Sequence, residues 1–437
     1  MKNYQFYHIY PLGMLNKLDS NSTNNFNLTY LNKFSSHLKD ININAVYIGP
    51  IFESKYHGYD TIDYEKIDRR LGSNSDFKNM VEHYHNENID IIVDCVFNHV
   101  SRDFFAFQDL LTNKWNSRYR DWFHTDFSKN NNRNDGFSYS SWDGHDELVK
   151  LNLENTTVAD YLINIAKNWI YEFNIDGLRL DAADVMSNNF IKRLSYEMKM
   201  IKKDFYMLGE MVHGDYMNLM QETNIESITN YECYKGLYSS LNDKNYHEIA
   251  HSFNRLLGHS GLVKNKYLYN FVDNHDVNRV GSEIKNKKHL FPLYLMLYTM
   301  KGLSSIYYKS ELGVEGKRTK YSDENLRQPF IIEELNYDNA LLDSIKRFSL
   351  IRKEHDLFAF GDYETLLVES SFIVYKRFKN NKNILVLINS DDESKVISKN
   401  LLNKWKHKYN LRGFDILNKE NLNNDIIIYS NWGRVVE

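Results

Sequence analysis

Short apolar runs alternate with longer amphipathic stretches along this chain as far as about residue 353. The runs at 6–10, 45–48, 89–96, 177–180, 205–208, 227–229, 267–272 and 304–307 read as buried strands. Between them, apolar residues recur at helical spacing over stretches such as 28–38, 76–86, 158–173, 190–201 and 290–300. Strands alternating with helices predict a parallel sheet with helical crossovers, and eight of them predict an α/β chain built on a (β/α)8 TIM barrel.

The alternation is interrupted once. About fifty residues, 99–150, separate the third strand from its helix, far more than the usual connection in such units, and predict an inserted subdomain. Its run Lys129 to Gly136 reads as solvated loop. Its aromatics, Trp115, Tyr119, Trp122, Phe123, Phe137, Tyr139 and Trp142, either close a small core or face a ligand, with the core reading favoured. Beyond residue 357 the helical pattern fades. Runs such as Phe372-Ile373-Val374-Tyr375 and Ile384-Leu385-Val386-Leu387-Ile388 predict a C-terminal all-β sandwich. The expected division is barrel at 1–98 and 151–356, insertion at 99–150 and sandwich at 357–437.

Composition removes several classes of partner. Lys and Arg number 54 against 58 Asp and Glu, a net charge of −4, so no large single-sign field is present to grip nucleic acid or an anionic membrane. An aromatic share of 14%, with 32 Tyr, suits stacking on a neutral ring, although most of these rings are expected in the core. The N-terminal segment has no apolar stretch of signal-peptide length, and nothing later approaches a membrane span. Cys95 and Cys233 are too few for a disulfide framework, and Cys95 is expected as a small buried thiol. The chain is therefore expected to be cytoplasmic, and the triplets Asn21-Ser22-Thr23 and Asn155-Thr156-Thr157 to carry no glycan.

Four of the strands end in polar chemistry: Asp94-Cys95-Val96-Phe97-Asn98-His99, Gly177-Leu178-Arg179-Leu180-Asp181, Leu208-Gly209-Glu210 and Phe271-Val272-Asp273-Asn274-His275-Asp276. Barrel enzymes place their chemistry at the C-terminal ends of the strands, and a buried strand has no packing use for a carboxylate at its tip. Taken together, in this order and with these neighbours, the segments resemble the signature regions of glycoside hydrolase family 13, the α-amylase family. The resemblance supports the barrel, the insertion and the C-terminal module as one architecture.

It also implies roles. Retaining hydrolysis of a glycosidic bond needs a carboxylate to attack the anomeric carbon and a carboxylic acid to protonate the leaving oxygen, about 5–5.5 Å apart. The resemblance makes Asp181 the nucleophile, Glu210 the acid and later base, and Asp276 the third carboxylate that bonds sugar hydroxyls. It makes His99 and His275 hydroxyl ligands, Tyr59 the ring under the sugar, and Asp94 the holder of Arg179. Arg179 and Asp181, two apart on a strand, share a face, so Arg179 is expected to keep Asp181 ionised while Glu210 sits drier or more negative. Tyr56 and Tyr64, beside Tyr59, are expected to pack.

The chain departs from the family pattern in places. Asp184 and Val185 stand where secreted α-amylases tend to have Lys-His, whose His helps hold calcium, Lys309 stands where Gly is usual, and a common Pro is missing near Arg69 to Gly72. No cofactor is expected, and the case for calcium rests on the single matching oxygen of Asn98. Residues 57–72 and 209–215 look like the branch of maltogenic amylases and cyclomaltodextrinases. The leading reading is an intracellular α-1,4 maltooligosaccharide hydrolase, with small Ala182 favouring α-1,4 over α-1,6 bonds. A transglycosidase or isomerase using the same site is the second reading, and a catalytically inactive carbohydrate-binding barrel subunit the third. Oligomeric state is left open.

Overall fold

All eight expected strands form and pair in parallel within one sheet. They are Gln5–Ile9, Ala45–Ile48, Asp90–Cys95, Gly177–Leu180, Tyr206–Gly209, Ser227–Ile228, Tyr269–Asn270 and Leu303–Tyr307, the first lying between the second and the eighth. A parallel bridge between Thr229 and Tyr269 closes the sheet into a barrel. The computed structural model describes residues 1–18 and 24–437, so the triplet Asn21-Ser22-Thr23 lies outside the described residues.

The strands form because both of their faces are covered. Alternate side chains point outward to the helices, while Phe6, Ala45, Tyr47, Ile92, Tyr206, Leu208, Tyr269, Phe271 and Leu303 fill the barrel interior as a separate cluster. Gly177 is needed in that layer, because a Cβ there would come within 2.4 Å of the Tyr206 carbonyl oxygen. Outside, Asn74–Asn86, Thr156–Phe173, Asn188–Ile201 and Leu290–Thr299 are helices as expected. The segment expected as one helix at 28–38 is instead a 3₁₀ turn, Leu28–Phe34, running into the α-helix Ser35–Asp40. The reason is visible in the spacing: Leu28, Leu31 and Phe34 are all buried, and residues three apart line one face at three residues per turn.

The insertion builds a three-stranded antiparallel sheet from His99–Ser101, His145–Lys150 and Ser141–Trp142. Phe123 and Phe137 are buried and, with Tyr139, surround Phe107, which is the small core expected of these rings. Trp115 is exposed.

The C-terminal module is an antiparallel sheet of six strands with a two-stranded ribbon, Lys395–Ile397 and Ile426–Ile428, packed over it. Its period of two divides the side chains cleanly. Phe372, Val374, Leu385 and Leu387 pack with the ribbon, whereas Ile373, Tyr375, Ile384, Val386 and Ile388 join the core that reaches the barrel helices. One departure lies inside this module: Lys399–Tyr409 is a helix, capped by Ser398 and burying Leu402 and Tyr409 against the sheet. Both thiols are buried, and among the described residues no helix is long and apolar enough to cross a membrane.

Two buried arginines meet where barrel and module join, and Arg377 spans the boundary. Arg377 donates to the carbonyls of Leu357, Phe358, Gly361 and Asp362 at 2.8–3.1 Å and to that of Thr299. Arg352 donates to those of Tyr298, Met300 and Gly302. The acceptors include the orphan carbonyls that end helix Leu290–Thr299. Burial pulls Arg377 down to about 10, and burial with repulsion from Arg377 pulls Arg352 down to about 9, so both remain charged at neutral pH. Arg377→Met strands five carbonyls at once and is expected to cost at least about 3 kcal/mol, read as a lower urea midpoint, with Arg377→Lys recovering only part of it.

Candidate active site

Along the inward face of the barrel, hydrocarbon gives way to charge in two residues. Ile92 is followed on that face by Asp94, Gly177 by Arg179 and Asp181, Leu208 by Glu210, and Phe6 by His8. Register then brings the charges together. Arg179 pairs with Asp94 across adjacent strands, and Leu180 pairs with Gly209, so Asp181 and Glu210 leave neighbouring strands side by side.

The guanidinium of Arg179 is almost fully buried and touches three carboxylates. Its Nη1 donates to Asp94 Oδ1 at 2.9 Å, to Asp94 Oδ2 at 3.1 Å and to Asp181 Oδ1 at 2.9 Å, while its Nη2 lies 2.5 Å from Glu210 Oε1. Asp94 also accepts from the hydroxyls of Tyr47, at 2.6 Å, and Tyr59, at 2.8 Å. Arg179 therefore does not single out Asp181 as expected from the strand spacing, because Glu210 has equal access to it. Burial pushes both Asp181 and Glu210 up and neighbouring carboxylates add to the rise, while Arg179 pulls each back. One cation facing three buried carboxylates leaves excess negative charge, which the Asp181–Glu210 pair relieves by holding a proton.

Asp276 is the contrasting case. It lies partly exposed on the cleft floor, with His275 Nε2 2.9 Å from its Oδ2 and Arg327 Nη2 3.4 Å from its Oδ1. Burial works to raise it, but His275, Arg327 and Arg179 together hold it well below the usual carboxylate range. Asn274 fixes its backbone by accepting its N–H at 2.8 Å. Asp273 in the same motif faces elsewhere, accepting from the Val280 N–H and the Ser310 hydroxyl.

The remaining expected residues close around these. Tyr59 stacks parallel to His275, with ring centres 5.2 Å apart, and shares a hydrogen bond with its Nε2. The loop that carries Tyr59 is braced by Asp60, which accepts the N–H groups of Tyr56, His57 and Gly58. His99 Nε2 bonds the Tyr59 carbonyl at 2.9 Å, and burial pulls His99 down to about 4, so it is neutral at pH 7. Tyr64 packs as expected, its hydroxyl on the Val96 carbonyl, but Tyr56 does not: its side chain is largely exposed.

Asp181, Glu210, Asp276, Tyr59 and His99 line one cleft of about 570 Å³. Arg179, Asp94 and His275 lie beneath its floor. Residues that strand patterns did not bring forward also reach it: His57, Trp142, His145, Asp184, Val212, Tyr231, Asp323 and Arg327. They come from loops, short turns and the ends of elements, where too few residues repeat for a period to mark the facing side chain. Tyr47 was legible, since it shares the inward face two residues beyond Ala45. Ala182, next to Asp181, takes left-handed backbone (φ 51°, ψ 40°) and donates its N–H to Glu210 Oε2 at 3.1 Å. Lys309 also has a left-handed φ, 69°, which explains why Gly suits that position.

The oxygen expected to favour calcium, Asn98 Oδ1, is buried without a hydrogen-bond partner. Among the described residues no three His, Cys, Asp or Glu side chains gather where they could hold a metal.

Residues 19–345 match the alpha amylase catalytic domain. The chain belongs to the α-amylase family. Among its curated relatives are a cyclomaltodextrinase of Thermoanaerobacter pseudethanolicus, 31% identical over 83% of this chain and 63% of that protein, and an intracellular maltogenic amylase of Bacillus subtilis strain 168, 30% identical over 85% and 63%. The chain thus spans about three fifths of the length of these relatives. Among solved structures, the maltogenic amylase from S. marinus superposes with a TM-score of 0.82 at 25% identity, covering 99% of this chain and 66% of that one. The cyclic alpha-maltosyl-(1→6)-maltose hydrolase from Arthrobacter globiformis has the same fold, with a TM-score of 0.85 at 21% identity over 99% and 98% of the two chains.

The opposite shifts of Asp181 and Asp276 predict opposite stability effects. A carboxyl raised on folding opposes folding at every pH above its unfolded value, so Asp181→Asn should raise Tm at pH 7. A carboxyl lowered on folding stabilises above its unfolded value, so Asp276→Asn should lower it. The Asp181 difference should close as pH falls toward the unfolded carboxyl value, where that group is protonated in both states, whereas the Asp276 difference should persist near pH 4 and only begin to shrink below it, because the folded group stays ionised there, as thermal melts from pH 3 to pH 8 would record.

Proposed function

We propose that this member of the α-amylase family is a retaining α-glycoside hydrolase of α-1,4-linked maltooligosaccharides, working by double displacement through a covalent glycosyl–Asp181. The observation that carries the reading is the pair of carboxyls at neighbouring strand tips, joined by one guanidinium and raised toward sharing a proton. Adjacent strands stand about 4.8 Å apart, close to the separation of retaining glycosidases. The names of the relatives, cyclomaltodextrinase and intracellular maltogenic amylase, support α-glucan as the substrate and the cytoplasm as the place of work. A near-neutral chain with an uncharged sugar as substrate needs neither nucleic acid nor membrane as partner.

In the first step Asp181 attacks the anomeric carbon while Glu210, carrying the shared proton, gives it to the departing oxygen. Positive charge grows on the flattening ring. Asp276, held ionised, accepts hydrogen bonds from its hydroxyls, and Tyr59 lies against it. Arg179 now has less negative charge to offset, since Asp181 has become an ester, so Glu210 can remain ionised. In that form it draws a proton from water, whose oxygen attacks the same carbon and releases Asp181. Neutral His99, with Nε2 on the Tyr59 carbonyl and Nδ1 beside the Asn98 amide, holds the Tyr59 loop against the cleft without adding charge.

Each of Asp181→Asn, Glu210→Gln and Asp276→Asn should lower kcat roughly 10³-fold or more on maltotriose with the fold intact by circular dichroism. Proton NMR should show the α-anomer first, and the basic limb of the pH profile should lie above an ordinary carboxyl value, because the proton on the raised pair is the one lost. Initial release of the β-anomer would refute retention. Chelation should leave Tm and rate unchanged, whereas a fall of several degrees reversed by added calcium would demonstrate a cation site.

A further inference from the structure

Away from the cleft, a second concavity of about 290 Å³ opens on the outer wall of the barrel, between helix Thr156–Phe173 and strand Thr61–Ile67. Its floor is apolar and fixed. Ile165 and Trp169 are buried there, and Trp169 is held by its indole N–H, which donates to the Tyr64 carbonyl at 2.8 Å, and by stacking on Phe52 at 4.1 Å with planes 10° apart. Asn74 ties the two walls together, its amide donating to the Glu65 carbonyl at 2.9 Å and to Glu172 Oε1 at 3.0 Å. The rim carries the ring of Tyr171, the amide of Asn168 and the carboxylate of Glu65. Tyr171 is 71% exposed, and among the described residues its ring meets no other ring and no cation. Neither the Asn168 amide nor the Glu65 carboxylate has a hydrogen-bond partner among those residues.

A rigid apolar floor, an open aromatic face and polar groups at the edge match a ligand with C–H faces ringed by hydroxyls. Charge narrows the choice. No Lys, Arg or His lines the groove, so a phosphate or a carboxylate would meet two glutamates and no counter-charge. Glu172 is already engaged by Asn74, and the one free carboxylate offers too few oxygens for a divalent cation. A neutral sugar needs neither, since a carboxylate accepts strongly from a hydroxyl and an amide both donates and accepts. The aromatic surface also continues beyond the groove. Tyr161, one turn before Ile165 on the same helix, meets Trp122 at 5.3 Å and the exposed Phe105 at 5.8 Å. Tyr161 and Tyr171 stand about 15 Å apart along the helix, which begins beside the insertion, at the end of the barrel where the cleft opens.

We propose that this groove, with the rings that lead up from it, is a second α-glucan site, holding one part of a long chain while another part lies in the cleft. The inference rests on the α-glucan reading above. Its test compares amylose with maltotriose, which is too short to engage both places. Holding a chain at one point raises its effective concentration at the other, so in Tyr171→Ala the ratio of kcat/KM for amylose to that for maltotriose should fall about fivefold or more, through KM rather than kcat. The same variant should be slowed less than the natural chain in an amylose-containing native gel, and Tyr171→Phe, which keeps the ring, should behave as the natural chain in both assays. An unchanged ratio overturns the second site while leaving the hydrolase reading standing. A natural chain that cuts neither substrate, yet is slowed by amylose in a Tyr171-dependent way, overturns the hydrolase reading and leaves the second site standing.

Discussion

The buried charge of Arg179 is what the site is built around. Taking a guanidinium out of water is costly unless carboxylates surround it, and the converse holds for Asp94, Asp181 and Glu210. None of the four could be buried alone. Their mutual dependence fixes the geometry, because the only arrangement that serves all of them is the one in which the third, fourth and fifth strands are in register. Asp94, with two tyrosine donors as well as Arg179, is the fully satisfied member. Asp181 and Glu210 are left with a share of one cation, and the imbalance is what keeps a proton between them.

That imbalance is paid for below and around the site. Beneath it, the aromatic layer of Phe6, Tyr206, Tyr269 and Phe271 fills the barrel interior, so the charges rest on apolar rings that screen them little. Around it, Asp60 and Asn274 tie down the loops that carry Tyr59 and Asp276 through backbone N–H bonds. Asp276 is stabilised separately by His275 and Arg327, and so is shifted in the opposite direction from Asp181. Similar side chains thus take different protonation states because their neighbours differ.

The C-terminal module contributes by another route. One face of its sheet is used up on its own ribbon and helix, the other on the barrel helices, and Arg352 and Arg377 anchor the junction by gathering carbonyls that a helix end leaves orphaned. The eighth strand and the loop bearing Asp323 and Arg327 stand close to that junction in sequence.

Much of this was written in local sequence. Strand positions were legible because a strand covered on both faces must be apolar throughout, and carboxylates at the tips stood out because nothing in packing calls for them. The 3₁₀ turn at Leu28–Phe34 and the helix Lys399–Tyr409 were misread, one because a spacing of three resembles a helix's mixed spacing of three and four, the other because short apolar β runs surround it. Which carboxylate Arg179 would favour was not legible at all. Spacing along one strand puts Arg179 with Asp181, but contact with Glu210 depends on the neighbouring strand, and a charge acts on whatever lies within a few ångströms, whatever its distance along the chain. The same holds for Asp323 and Arg327: loops carry no period to say which way a side chain points. The sequence alone determined which carboxylates stand at the inward strand ends, since each strand sets its own inward face, and only the closed barrel decided how their charges are shared.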